Sequence, residues 1–419
     1  MAETKEDNIR MNRIWTILPA FLLPVLVMVF LGARYGFVYE MNDDRFISQI
    51  LSGAYSGTPD YHAIYVQFFL SYPLYLLYRI QPSVSWWGFM LLASFTLSQS
   101  VLLYYILRRI RIYAAENGGK KTAIWGSAAA ILIFFALFLS QIAMVLRTQY
   151  TSVAVIIAAT GYMILFLDER AKRSTVWFFL FNFLAFSMRE RSMEMVALLG
   201  IPLYLTFTYA KGKRKIRKLI DVALALIMVF VLSLLGRVIS GEEKAEWREF
   251  RAFNAARTEV YDYGAMPSYD DVRDILAENH VEPMEWQAFQ WYTLTDFPKD
   301  RGLSKALSEY AANNHVKRTA GQVVQSVLEE SVLRKEYRPI LILWVLSLLM
   351  ILLAKKPKYL LSLFVLLGCR MVLWAYLAYR GRIVDRVTLP FYITEGLFLI
   401  AIILFTLTSE PITRKRILP

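Results

Sequence analysis

Long apolar runs alternate with short charged clusters from one end of this 419-residue chain to the other. Eleven runs stand out: Ile14–Leu31, Ile64–Leu77, Trp86–Leu107, Ala123–Val145, Ser152–Leu167, Val176–Phe186, Met195–Thr208, Leu219–Leu235, Ile340–Ala354, Tyr359–Tyr379 and Val387–Leu407. A ~30 Å hydrocarbon layer takes ~20 apolar residues in a helix, and an open sheet leaves its backbone unsatisfied in lipid. The runs therefore predict membrane-spanning helices, and the fold class is an all-α polytopic bundle of about 10–11 spans. Ile64–Leu77 and Val176–Phe186 are the weakest candidates, because they are short, and Pro73 interrupts the first. One sizeable polar stretch, Ser240–Tyr337, breaks the pattern. Asp270–Glu278 and Ser304–Asn313 read as helices within it, with turns at Gly264, Pro267, Pro283 and Pro298. The organisation expected is an N-terminal membrane module (1–239) with a first external loop (33–62), an external, mostly helical insert (240–337), and a C-terminal membrane module (338–419).

Composition agrees: 57% of residues are hydrophobic, 15% aromatic and only 19% charged, which excludes an ordinary soluble globule. The net charge of +13 has a simple origin. Residues 241–337 carry 18 acidic and 12 basic residues, against 34 and 47 in the whole chain, so the basic excess belongs to the membrane part. Lys/Arg clusters mark cytoplasmic ends, and no nucleic-acid partner is needed to explain the charge. Placing Arg108–Lys121, Arg170–Arg173, Lys211–Lys218, Lys355–Lys358 and Arg414–Arg416 inside gives a consistent alternation from Ala123 onward. The N-terminus, with Arg10 and Arg13 ahead of the first run, is also inside. Two full crossings before Arg108 would then put that cluster outside. Either Ile64–Leu77 does not cross fully, the favoured reading because it is short and interrupted by Pro73, or the positive-inside rule fails at that cluster.

Candidate chemistry begins at Asn42-Asp43-Asp44-Arg45, where the chain leaves its first span. A carboxylate here suits a general base on an acceptor hydroxyl, or a hold on a divalent cation against phosphate; ordinary interfacial acids are the alternative. A set of arginines falls on the external side, against the charge trend: Arg147, Arg189, Arg191, Arg380, Arg382 and Arg386. Arginine makes bidentate hydrogen bonds to phosphate, while local acids (Glu190, Glu194, Asp385) are the competing partners. The run Trp247–Tyr263, with Asn254, Arg257, Asp262 and Tyr263, suits stacking on a sugar or the core of a small cap. Cys369 is the only cysteine, and His62, His280 and His315 are too scattered for a metal site.

The order of features after the first span carries a resemblance. The acidic pair is followed by the amphipathic Phe46–Leu51, the polar loop Ser52–Asp60, then His62, Tyr65 and a Pro-Leu run, Tyr72-Pro73-Leu74, ending in Leu77-Tyr78-Arg79. This order resembles the N-terminal module of polytopic glycosyltransferases of the C fold class (GT-C), the group that includes protein O-mannosyltransferases and lipid A aminoarabinose transferases. The basic stretch Tyr104–Lys121 and Ser187-Met188-Arg189-Glu190-Arg191 also fit that layout. At Arg147-Thr148-Gln149 the chain departs from it, lacking the Asp that the group often carries there. The matching order covers about the first half of the chain.

The resemblance implies a GT-C-like fold and transfer of a sugar from a polyprenyl-phosphate donor to a glycan, lipid or protein acceptor, on the outer face of a bacterial-type plasma membrane. It implies Asp43 or Asp44 as base or positioning acid. Arg147, Arg189, Arg191, Arg380 and Arg382 would hold the donor phosphate, and Asp60, His62 and Glu190 would contact acceptor or donor. A divalent cation is left open. The competing function is a transporter, flippase or polymerase of lipid-linked glycans, which calls for ionisable groups deep in the spans; Arg370 falls mid-span and keeps that reading open. A non-catalytic scaffold is the third class.

Overall fold

The computed structural model describes residues 2–408 apart from 41, 56, 118, 169–170, 211–215, 243, 264–265, 292–300 and 315–317. The Arg414–Arg416 cluster, part of Lys211–Lys218, Arg170, Gly264, Pro298 and His315 lie outside the described residues. The structure is 84% helical with almost no strand. In chain order the elements are α1 (Ala2–Tyr35), β1 (Val38–Tyr39), α2 (Asn42–Ser52), α3 (Phe68–Ile80), α4 (Trp86–Asn117), α5 (Gly119–Leu139), α6 (Ile142–Leu146), β2 (Arg147–Thr148), α7 (Tyr150–Leu167), α8 (Ala171–Met188), α9 (Glu190–Ala210) and α10 (Ile216–Ser240). There follow α11 (Ala245–Thr258), α12 (Arg273–Glu278), α13 (Pro283–Gln290), α14 (Arg301–Asn313), α15 (Ala320–Leu328), α16 (Arg338–Leu353), α17 (Leu360–Tyr379) and α18 (Asp385–Thr408).

Nine helices among the described residues are long and apolar enough to cross a membrane: α1, α4, α5, α7, α9, α10, α16, α17 and α18. This is a multi-pass integral membrane protein. Two short apolar runs, now α3 and α8, are missing from that set, for different reasons. α8 carries Lys172 and Arg173 in its first turn, yet it runs antiparallel along α7. Gly161 of α7 lies against Asn182, Tyr162 packs on Phe178 at 5.0 Å, and Arg189, just past α8, sits over Tyr150. α8 thus traverses the bundle beside α7.

α3 does not cross. Its first turn is tied to the external end of α8 by Gln67 N–H donating to Ser187 O (2.8 Å). Near its other end the Tyr78 hydroxyl accepts from the Trp87 amide (3.0 Å) at the external start of α4. At the opposite end of α4, Tyr105 and Arg108 reach Asp168 past α7, and Arg109 donates to Thr408 of α18 (2.7 Å). The Arg108–Lys121 cluster therefore begins at the opposite end of α4 from both ends of α3, the arrangement expected if α3 does not cross.

The chain forms two compact units, one of residues 1–236, 330–373 and 384–419, the other of 237–329 and 374–383. In the first, α7 and α18 are central: every residue of α7 is buried, while α1, α5, α10 and α16 leave most of their surface outward. Glycines allow close approach there, as is usual between membrane helices. A Cβ at Gly200 would stand 2.5 Å from the Tyr162 ring, and one at Gly396 would stand 2.8 Å from Leu137. Inside the spans, Arg370 of α17 meets Glu395 of α18 at 2.9 Å, with side chains 6% and 2% exposed. Tyr337 and Trp344 each donate to Glu395 at 2.5 Å, and the guanidinium lies over the Tyr337 ring at 4.7 Å. At the external end of the same helices, Arg334 holds Glu330, Glu336 and Asp385.

The second unit has its own core of Val260, Val272, Leu276, Val281, Trp286, Phe289, Leu303, Leu307 and Ala311. Pro283 opens α13 with a reciprocal Glu282–Glu285 cap, and Thr319 with Gln322 caps α15 in the same way. Phe253 and Tyr261 pack on this core, so that part of the Trp247–Tyr263 run serves packing. Arg257 lies over Tyr261 and donates to Asn254 (2.8 Å); the side chains of Asp262 and Tyr263 lie outside the described part.

Candidate active site

Helix α2 separates the two adjacent acids. Asp44, Ile47, Ser48 and Leu51 share one face at helical spacing, and that face packs inward: Asp44 and Leu51 are fully buried and Ile47 nearly so. Asp43 points elsewhere and is half-buried, while Arg45 and Phe46 are exposed. Both acids occupy the first turn of α2, where carboxylates favour the helix dipole.

The Asp44 carboxyl closes the start of α7. It accepts the Trp87 indole N–H (3.0 Å) and the Tyr150 backbone N–H (3.2 and 3.4 Å to its two oxygens). The first amides of a helix have no partner within it, and here a side chain from another helix supplies one. Gln149 adds its own side chain, accepting from Ser152 N–H (3.2 Å). Ser152 Oγ donates to Arg386 O (3.0 Å) and Ser192 Oγ to Thr151 O (3.2 Å). One turn along α2, Ser48 bonds the Tyr78 hydroxyl at 3.0 Å. Burial pushes the Asp44 carboxyl up to about 8, opposed by the Trp87 and Tyr150 hydrogen bonds and helped by the charges of Asp43 and Glu40. A carboxyl in that range suits proton transfer at neutral pH. Geometry outweighs it here, because Asp44 is closed to solvent and already occupied by donors.

The Arg189 guanidinium stands 4.4 Å from the Tyr65 ring centroid and 5.4 Å from that of Tyr150. Among the described residues no carboxylate lies within ion-pair distance of it. Tyr150 is fixed: it is 1% exposed and packs toward Trp87 at 6.4 Å. The Arg189 guanidinium thus stands near two rings at the start of α7, and half-buried Asp43 lies in the first turn of α2, whose other acid bonds that same start.

Of the other expected residues, Arg147, Arg191, Glu190, Asp60 and His62 lie in the first unit and Arg380 and Arg382 in the second. Arg147 is exposed in β2, which pairs in parallel with β1 in the register Val38↔Arg147 and Tyr39↔Thr148. The strand pair places Glu40 beside Arg147, Arg386 and Asp385. Burial pushes its carboxyl up, and the two arginines pull it back. Arg191 pairs with Glu194 at 2.8 Å on the exposed face of α9. Glu190 opens α9, half-buried. Asp60 accepts from the His62 backbone amide (2.9 Å) and contacts its Nδ1 at 2.7 Å, with the imidazole tilted on Tyr61. Arg380 and Arg382 belong to the second unit, where Arg380 meets Glu259 at 3.3 Å. Among the described residues, no group of three or more His, Cys, Asp or Glu is arranged around a common point for a metal ion.

Sequence reasoning did not single out Trp87 and Tyr150, the groups that fix Asp44 and Arg189, nor the part Tyr65 plays over Arg189. Trp87 follows Trp86 at the head of a span, and Tyr150 follows Arg147-Thr148-Gln149, so both sat next to features that were noticed. Comparison with protein-family models, curated proteins and solved structures returned no match.

Proposed function

We propose that this protein is a GT-C-type membrane glycosyltransferase of a bacterial-type plasma membrane, moving a sugar from a polyprenyl-phosphate donor to a glycan, lipid or protein acceptor on the external face. The observation that supports the reading is that the start of α7 is joined both to the acidic first turn of α2, through the Asp44–Tyr150 hydrogen bonds, and to Arg189, over the Tyr150 ring. The acceptor hydroxyl attacks the anomeric carbon while Asp43 takes its proton. The bond from that carbon to the phosphate oxygen breaks, and the phosphate leaves with the electron pair. Arg189 offsets the charge that grows on it, the kind of fixed electrostatic help that contributes most when water is excluded. With no enzyme nucleophile in the sequence of steps, the anomeric configuration inverts. Asp44 acts as a positioning acid, holding α2 to the head of α7. The order of motifs over the first half of the chain supports the same reading by resemblance.

The test is transfer from radiolabelled prenyl-phosphate sugars in membranes, with Arg189→Gln beside wild type. Loss of transfer with retained folding supports the reading; equal transfer by the two removes Arg189 from it. Transport of lipid-linked glycans is the second reading, favoured by the Arg370–Glu395 pair within the spans. That pair is closed on itself by Tyr337 and Trp344, which suits a structural clamp better than a moving site.

A further inference from the structure

We propose that Tyr65 is a gate on Arg189, occupying the anion position until the phosphate head of a prenyl phosphate displaces it; the proposal rests on the reading of Arg189 as the phosphate group's partner. Three observations carry it. First, Val66 N–H donates to Ala63 O (3.3 Å), so residues 63–66 form a tight turn with Tyr65 third. Second, Tyr65 has φ +66°. A turn with a left-handed third residue takes Gly or Asn there, since other side chains are strained in it. Strain of this kind persists only when surrounding contacts hold it. Third, one contact that this conformation makes is the ring over Arg189, at 4.4 Å, while the ring itself remains 37% exposed.

The two ends of the turn are fixed: Ala63 and Val66 are buried, and Gln67 is bonded to Ser187. A flip of the peptide between residues 64 and 65 converts a turn with a left-handed third residue into one without it. That flip relieves Tyr65 and swings its ring off Arg189 while leaving both ends in place. Tyr150, packed on the other side, stays. A phosphate has a stronger hold on a guanidinium than a ring does, so the incoming head group drives the exchange. The gate keeps the cation covered when no donor is present, and it makes apparent affinity depend on the open fraction.

The test is binding of farnesyl monophosphate to the full chain in detergent, with farnesol as the phosphate-free control. Tyr65→Gly and Tyr65→Asn both suit a left-handed residue and remove the ring, so one covers for the other if either fails to fold. A cation–π contact biases an equilibrium by roughly two- to thirtyfold, so both variants should bind roughly tenfold more tightly than wild type. Tyr65→Phe, which keeps the ring over Arg189, should remain near wild type. Weaker or unchanged binding by the Gly and Asn variants overturns the gate and leaves Arg189 as the anion site. Arg189→Gln in the Tyr65→Gly background should abolish binding. If it binds as tightly as Tyr65→Gly alone, the phosphate reading of Arg189 fails, and the gate with it.

Discussion

Arg370→Met should be among the most destabilising single substitutions in this protein. Arg370 and Glu395 are 6% and 2% exposed and meet at 2.9 Å between α17 and α18. Removing the arginine leaves a carboxylate with Tyr337 and Trp344 as donors but no counter-charge. Breaking a buried pair in this way costs ~3–5 kcal/mol, because an uncompensated charge is left behind. An interhelical hydrogen bond between neutral groups in a membrane protein contributes only ~0.6 kcal/mol on average, so the two explanations are well separated in size. Arg370→Met with Glu395→Gln removes both charges and keeps an acceptor for Tyr337 and Trp344. The double variant should return to within about 1–2 kcal/mol of wild type, since replacing both members of a buried pair is often near neutral. Unfolding by heat or by increasing SDS in mixed micelles, across wild type, both single variants and the double, gives the coupling directly. A loss under ~1 kcal/mol for Arg370→Met would refute the argument, for it would mean that the charge reaches water or lipid phosphate.

The Asp44 carboxyl is raised by burial to about 8, above the ~3.9 of an unfolded Asp. The folded state therefore holds the extra proton: its stabilising effect is complete below about pH 4 and is lost as pH rises through about 8, by up to ~1.4 kcal/mol per pH unit. Melting temperature should fall between pH 5 and 8 in wild type relative to Asp44→Asn, and parallel curves would contradict the burial argument. Gly200→Ala places a methyl 2.5 Å from the Tyr162 ring and should cost ~1–3 kcal/mol as overpacking, read as a lowered melting temperature; a neutral result would mean that α7 and α9 separate easily. In a Cys369→Ala background, Ala54→Cys and Ser83→Cys should both react with an impermeant maleimide from outside intact cells, because α3 does not cross; labelling of only one would restore the crossing.

Much of the fold was legible because hydrocarbon thickness fixes helix length. Nine of the eleven apolar runs became long spans, and the two exceptions were both short. The charge clusters also carried real information: the conflict at Arg108–Lys121 pointed to α3 before any contact did. What periodicity could not reveal was which spans are central. α7 and α18 are no more apolar than the lipid-facing α1 or α10, since lipid is as apolar as a protein core. The acidic pair was visible, but its division was not. That depends on α2 presenting Asp44 with Ile47 and Leu51, and on Trp87 and Tyr150 arriving from distant parts of the chain. The partner of Arg370, Glu395, lay unnoticed in the last apolar run, because helix-to-helix pairing across 25 residues leaves no local signal.

The central claim is that Asp43, the half-buried acid of the pair, does the chemistry together with Arg189 while Asp44 holds the frame. It is tested most directly by transfer from a labelled prenyl-phosphate sugar to an envelope extract with wild type, Asp43→Asn and Asp44→Asn, each checked for folding. The account predicts transfer by wild type and a loss of roughly 10²–10⁴-fold in Asp43→Asn, the range for removing a general base. It predicts that Asp44→Asn, which keeps an acceptor for Trp87 and Tyr150, stays within about tenfold of wild type, the range of a change in positioning alone. No transfer by wild type from any prenyl-phosphate donor, or transfer by Asp43→Asn equal to wild type, would contradict it.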